Sequence, residues 1–215
     1  DPRLERAESL LIAHTATYRA SGLTGRPSIV LLDECWALLE SPILAGVVVQ
    51  LFRTARKRNA SVWGISQTPE DFVGTPDRPN EHGAGIVKNA TTKIIGKQPG
   101  DMTALREHVH LNETALNPIK TFAHPKKGQR AEFLIAIGEK AESTHSIRIV
   151  PSAVDYWITT TYARERTYRK WWLREHQQLP LIAAYEKLAE QYPRGLAEIG
   201  PLPVELSGEM QEAPS

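Results

Sequence analysis

Apolar positions along the chain change their spacing several times, and each change marks an element. Leu4, Leu10, Leu11 and Ala13 recur at helical spacing over residues 3–20, and Ser21-Gly22 with Gly25-Arg26-Pro27 ends that helix. The run over 28–33 is apolar and rich in branched side chains, which predicts a strand buried on both faces, as in a parallel sheet. Pro42 opens a second helix that extends to about Lys57 and closes on Arg53, Arg56, Lys57 and Arg58 before a break at Asn59. Ser61 to Ser66 reads as a second strand with Gln67 and Thr68 at its C-terminal end, and Pro69-Glu70-Asp71-Phe72 starts a helical turn. The glycines and prolines of 73–85 predict a surface loop, 84–90 a helix, and Thr92-Lys93-Ile94-Ile95 a third strand. This β-α-β-α-β order implies right-handed crossovers within one parallel sheet.

A helix follows Asp101 as far as His110, and Asn112-Glu113 begins another. Ala131–Ile137 and His145–Val150 predict an antiparallel hairpin around Gly138-Glu139-Lys140. From Pro151 onward the pattern is helical, with an aromatic and basic stretch over Tyr156–Trp172, an amphipathic helix over 180–191, and a loose tail over 200–215. The expected organisation is an α/β domain over 1–150, a helical appendage over 151–199, and the tail.

Composition narrows the picture. In 215 residues, 41% apolar content supports a core, and 24% charged residues argue against global disorder. The net charge of +1 favours neither a nucleic-acid coat nor an acidic-ligand binder, so any nucleic-acid role would need a local patch. Cys35 is the single cysteine, which excludes an internal disulfide framework. Apolar runs such as Ile43–Phe52 are too short to span a bilayer. The charged opening Asp1-Pro2-Arg3-Leu4-Glu5-Arg6 is not a signal peptide. A start without Met, directly in helical pattern, suggests a piece of something longer.

The candidate chemistry sits at the strand ends. An apolar strand ending in Asp33-Glu34 matches the B motif of P-loop ATPases. There the aspartate holds Mg²⁺ through a water, and the glutamate polarises the attacking water as a general base. The alternative is that the pair caps the following helix. Gln67, at the end of the second strand about 30 residues on, suits a sensor, because a neutral amide both donates and accepts hydrogen bonds. Its alternative is a cap on the Pro69 turn. Two such strand tips with a helix between them favour the ATPase.

The basic end Arg53-Thr54-Ala55-Arg56-Lys57-Arg58 has three readings: a solvated helix terminus, an arginine finger toward a neighbouring subunit, or a phosphate-backbone patch. Lys93 and Arg130 are weaker finger candidates. No Gly-x-x-x-x-Gly-Lys-Ser/Thr occurs, so the phosphate-binding loop is not in this chain. The seven histidines, His108 and His110 included, form no zinc pattern. The run of Tyr156, Trp157, Tyr162, Tyr168, Trp171 and Trp172 with Arg164, Arg166, Arg169 and Lys170 reads as a packed helix or as a nucleic-acid stacking surface. Trp171 and Trp172 are also candidates for a protein interface.

Four strings in order carry a resemblance: Leu31-Leu32-Asp33-Glu34-Cys35-Trp36-Ala37-Leu38-Leu39, Arg56-Lys57-Arg58-Asn59, Ser66-Gln67-Thr68-Pro69-Glu70-Asp71 and Asn89-Ala90-Thr91-Thr92-Lys93-Ile94. They resemble the C-terminal ATPase domain of the VirB/TrbE family of type IV secretion and conjugation ATPases. Trp36, two residues after the glutamate, is more specific than a generic B motif. The 133–150 hairpin and Tyr162-Ala163-Arg164-Glu165-Arg166 resemble the TrbE branch in particular, and the family resemblance as a whole covers about residues 20–190. The resemblance implies a RecA-like P-loop NTPase fold whose phosphate loop lies upstream. It implies ATP and Mg²⁺ as cofactors, hexamers or related homo-oligomers, and partners in the secretion complex at the cytoplasmic face of the bacterial inner membrane. It makes Asp33 the magnesium-side carboxylate, Glu34 the catalytic base, Gln67 the sensor and Arg56 a finger candidate beside Arg53 and Arg58. The rival expectations are a hexameric DNA-pumping translocase and a non-catalytic docking or oligomerisation module.

Overall fold

The computed structural model describes residues 27–124 and 130–196, so the helix expected over 3–20 and the tail expected over 200–215 lie outside the described residues. Two compact units result. One comprises 27–122 with 133–147, and the other comprises 148–196 with the described part of 123–132.

In the first unit, β1 (Ser28–Leu32) and β2 (Ala60–Gly64) pair in parallel, Ser28 opposite Ala60 and Leu32 opposite Gly64. A parallel pair needs a crossover. Here it is α1 (Cys35–Leu39), α2 (Pro42–Thr54) and a 3-10 turn over Ala55–Arg58. Pro42 starts α2 because its missing N–H and fixed φ cost nothing there, and Asn59 ends the turn in the left-handed region at φ 54°. The crossover helices bury Cys35, Leu39, Ala45, Val48 and Val49 together with Ile86, and Leu32, Phe52 and Phe72 pack against them.

The opposite face of the pair is open. Ile29 is 70% and Leu31 63% exposed, and Trp63 and Ile65 lie exposed beside them. The expectation that β1 is buried on both faces is therefore corrected. An apolar run registers affinity for cover, not the presence of a covering layer, and among the described residues only one face has one.

Past β2 come a single helical turn, α3 (Glu70–Val73), and a short antiparallel pair, β3 (Gly74–Thr75) with β4 (Arg78–Pro79), where a loop was expected. Next is α4 (Glu81–Asn89), begun by Asn80, whose Oδ1 accepts the Gly83 N–H at 3.0 Å. Gly83 is required by close approach, since a Cβ there would sit 1.8 Å from the Phe72 carbonyl oxygen.

The third strand, β5 (Thr92–Ile95), does not extend the parallel sheet. It pairs antiparallel with β6 (Ala131–Ile137), and β6 neighbours β7 (Ser143–Ile149). The sequence places β1, β2 and β5 in this order with helices between them, but a strand's partner depends on which apolar face finds cover. Ile95 and Leu134 find it together, in a cluster with Leu105, Leu116 and Ile119 from α5 (Thr103–His108) and α6 (Glu113–Thr121). The protein is mixed α/β, with a two-stranded parallel sheet among its described residues.

The second unit is helical: α7 (Ala153–Thr159), α8 (Ala163–Glu175) and α9 (Leu181–Gln191). Ser152 and Asp155 form a reciprocal capping box at the start of α7. Tyr156, Trp157, Tyr168, Trp172 and Leu188 make its core. Tyr168 lies 6.2 Å from Trp157, 6.3 Å from Trp172 and 5.6 Å from Tyr192 between ring centroids. Arg169 donates through Nη1 to the carbonyls of Trp157 at 2.7 Å and Ile158 at 2.8 Å, satisfying the end of α7. The stacking-surface reading is thus corrected for Tyr156, Trp157, Tyr168 and Trp172, which are buried in their own unit where bases cannot reach them, while Tyr162 is exposed. The same burial removes Trp172 as an interface residue, leaving Trp171 half-buried. No described helix is long and apolar enough to cross a membrane.

Candidate active site

Parallel pairing places the C-terminal ends of β1 and β2 side by side. The ladder continues one step past the strands, with Ile65 N–H donating to the Leu32 carbonyl and Cys35 N–H to the Ile65 carbonyl, both at 2.9 Å. Asp33-Glu34 and Ser66-Gln67 therefore emerge next to each other, although 33 positions separate Glu34 from Gln67.

Glu34 is held in the left-handed region, at φ 48° and ψ 47°. For a residue with a Cβ this conformation costs roughly 1–2 kcal/mol, and such strain concentrates at functional sites. It turns the chain from β1 directly into α1, and the Glu34 N–H donates to Asp33 Oδ1 at 3.1 Å. The Glu34 carboxylate does not cap α1. Its Oε1 accepts from Gln67 Nε2 at 3.1 Å, and its Oε2 accepts from the Trp36 indole Nε1 at 2.6 Å. Both carboxylate oxygens are thus oriented by neutral donors, and Asp33, Glu34 and Gln67 are all solvent-exposed. The capping alternative for Glu34 fails on this geometry. The strand end does engage the Pro69 turn, through Ser66 Oγ and the Gln67 N–H on Asp71, while the Gln67 side chain reaches across to the other strand tip.

Asp71 organises the turn. Its Oδ2 accepts from Ser66 Oγ at 2.9 Å, Gln67 N–H at 3.1 Å and Thr68 N–H at 2.9 Å. Burial alone would push its carboxyl up, but hydrogen bonds from Thr68, Ser66 and Gln67 outweigh this and hold it below the usual carboxylate range. A lowered folded value means that this support is present above the unfolded pKa and is lost as pH falls through the folded one. The Gln67 and Thr68 amide NMR signals should therefore follow an Asp71 titration whose midpoint lies below about 3.9, the ordinary Asp value. A midpoint at or above that value would contradict the arrangement.

The basic residues lie elsewhere. Arg56 precedes β2 and Gln67 follows it, so the five-residue strand, roughly 16 Å at ~3.3 Å per residue, separates them within one chain. Arg53 and Arg56 are exposed, and only the backbone of Arg58 is described. Lys93 is tied down, its Nζ donating to the carbonyls of Gly138 at 2.9 Å and Glu139 at 3.3 Å, and burial pulls its pKa downward. Arg130 pairs with Glu132 at 3.7 Å.

Two contributors were invisible in the sequence. In the sequence Trp36 is a family marker with no sign that it donates to Glu34, and Asp71 is only part of a helical turn. A Thr-x-x-Asp spacing at Thr68–Asp71 was the one available signal for the second.

Comparison with protein-family models and with curated proteins finds no match. Among solved structures, the chain is similar to VirB4 of Thermoanaerobacter pseudethanolicus, at 23% identity and a TM-score of 0.46, over 66% of this chain and 33% of that one. The chain therefore spans about a third of the length of that protein.

Proposed function

We propose that this chain carries the water-activating and magnesium-side half of a RecA-like P-loop ATPase site, in a motor of a conjugative type IV secretion system. The carrying observation is the 3.1 Å contact between Gln67 Nε2 and Glu34 Oε1 across two parallel strand tips. A carboxylate held between a neutral amide and an indole N–H is oriented without being neutralised by a cation. That arrangement suits a general base that takes a proton from water while the amide orients the same water. The phosphate-gripping loop lies outside this chain in this reading.

Asp33 fits the metal role on its donor chemistry: an exposed hard carboxylate at the strand tip, next to the base. Mg²⁺ commonly takes one or two carboxylates and keeps waters and phosphate oxygens for its other positions. No group of three or more candidate ligands occurs among the described residues, so an all-protein cage is not available there. When bound with ATP, the ion would supply charge neutralisation at the transferring phosphoryl group.

ATP turnover by the full-length protein, with and without Glu34→Gln, tests the reading, and unchanged turnover would overturn it. Hexameric assembly, secretion-system partners, a place at the cytoplasmic face of the inner membrane, and work on pilus assembly and substrate transfer belong to the same proposal. So does Arg56 as the finger. Its distance from Gln67 requires it to act on a neighbouring subunit. Mixing Arg56→Ala with Glu34→Gln protein should then restore part of the turnover that neither has alone. Mixtures with no activity above either variant would remove Arg56.

A further inference from the structure

We infer that Asp71 is a positioning residue for the Glu34–Gln67 pair, setting the backbone from which the Gln67 amide reaches the carboxylate. This rests on the reading of that pair as the reacting groups. The inter-strand ladder ends at Ile65, whose N–H and carbonyl are both used against the β1 side. The next three residues make no ladder contact. Their polar groups converge on one oxygen instead: Ser66 Oγ, Gln67 N–H and Thr68 N–H all donate to Asp71 Oδ2 within 3.1 Å.

A simple helix cap would serve the first turn of α3. All three donors, on Ser66, Gln67 and Thr68, lie upstream of that helix, and α3 itself is only four residues long. What Asp71 holds is the segment that carries Gln67. Its anchorage in α3 is firm, since Val73 is buried and Phe72 packs against the core of the first unit. The chain of support runs from that core through Asp71 to the backbone at 66–68, then through the Gln67 side chain to Glu34. Displacing a reacting group by about 1 Å can cost on the order of 10²-fold in rate without weakening ground-state binding.

Steady-state kinetics of the full-length protein test this. Asp71→Ala should lower kcat roughly 10- to 100-fold, with the KM for ATP changed less than about twofold. Asp71→Asn, which retains an acceptor oxygen in place, should bring kcat back to within about threefold of the parent. Asp71→Ala keeping kcat within about twofold, or Asp71→Asn staying as impaired as Asp71→Ala, would overturn the inference.

A second readout does not depend on catalysis. In the ¹⁵N-labelled 215-residue chain, Asp71→Ala should shift the Gln67 side-chain amide and the Trp36 indole signals and leave those of Trp157 and Trp172 in place. Unmoved Gln67 and Trp36 signals would also overturn it. If Asp71→Ala costs the fold, Asp71→Glu supplies the same test: its carboxylate is displaced by one methylene and should shift the same two signals. Retained turnover in Glu34→Gln would instead remove the catalytic reading of the pair and leave the NMR result to decide the positioning.

Discussion

Glu34→Gln should lower the kcat for ATP of the full-length protein by roughly 10²–10⁴-fold, the range a positioned general base supplies. The expected loss comes from chemistry, not from folding. Glutamine preserves the shape of the side chain, and Gln67 can turn its amide over to accept from the new Nε2 while the Trp36 indole donates to the remaining oxygen. Both contacts seen at 3.1 Å and 2.6 Å can persist. The side chains are exposed, so any residual cost to stability should stay within about 0.5 kcal/mol. The KM for ATP should move little, because the groups that grip the phosphates are elsewhere in this reading. Measuring kcat, KM and the thermal midpoint together separates the possibilities. A variant that turns over ATP at the parent rate sinks the assignment of Glu34. One that loses activity only because its midpoint collapses sinks the argument that the site is exposed and structurally undemanding.

Trp157→Ala should destabilise the helical unit by about 3–5 kcal/mol, the usual cost of removing a large aromatic side chain from a core. Trp157 is fully buried, stands against Tyr156 and Tyr168, and donates its indole N–H to the Tyr192 carbonyl at 2.8 Å. Truncation leaves a cavity at a fully buried position and also removes that carbonyl's partner. Small units are held by only ~0.05–0.15 kcal/mol per residue, so most of the margin would be gone. Hydrogen exchange in urea should show α7, α8 and α9 losing protection together. Trp63→Ala provides the contrast. Trp63 is 46% exposed and its indole bonds to Ser61, so it should cost about 1–2 kcal/mol. Equal protection in Trp157→Ala and the parent would mean that these rings are not the core of the unit.

Much of the fold was legible along the chain, for reasons that particular residues make plain. Pro42 and Asn59 bracket the crossover helix through rules of local backbone geometry, and Asn112 begins α6 by accepting the Ala115 N–H at 3.0 Å. The tips of the first two strands were placed at Asp33-Glu34 and Ser66-Gln67, because an apolar run stops where polar side chains begin. Two errors had a common origin. The second face of β1 was expected to be covered, and β5 was expected in the parallel sheet. Both statements concern what lies against a strand, and periodicity carries no information about that. The aromatic and basic run posed the same problem in the helical unit: its composition suits a stacking surface and a core equally well, and only the closure of α7, α8 and α9 around Trp157 and Trp172 decided between them.

The sequence by itself determined which residues could do chemistry: a carboxylate pair after one strand, an amide after the next, and the absence of a phosphate loop. These follow from side-chain type and local spacing, which a linear string records. The tertiary structure alone decided that Glu34 and Gln67 meet, that Trp36 and Asp71 hold them, and that Arg56 stands at the other end of β2. The meeting of Glu34 with Gln67 follows from the register of two parallel strands, set by the packing of residues far apart in the chain, whereas Trp36 and Asp71 act over two to five positions, where the geometry of the turns aims their side chains.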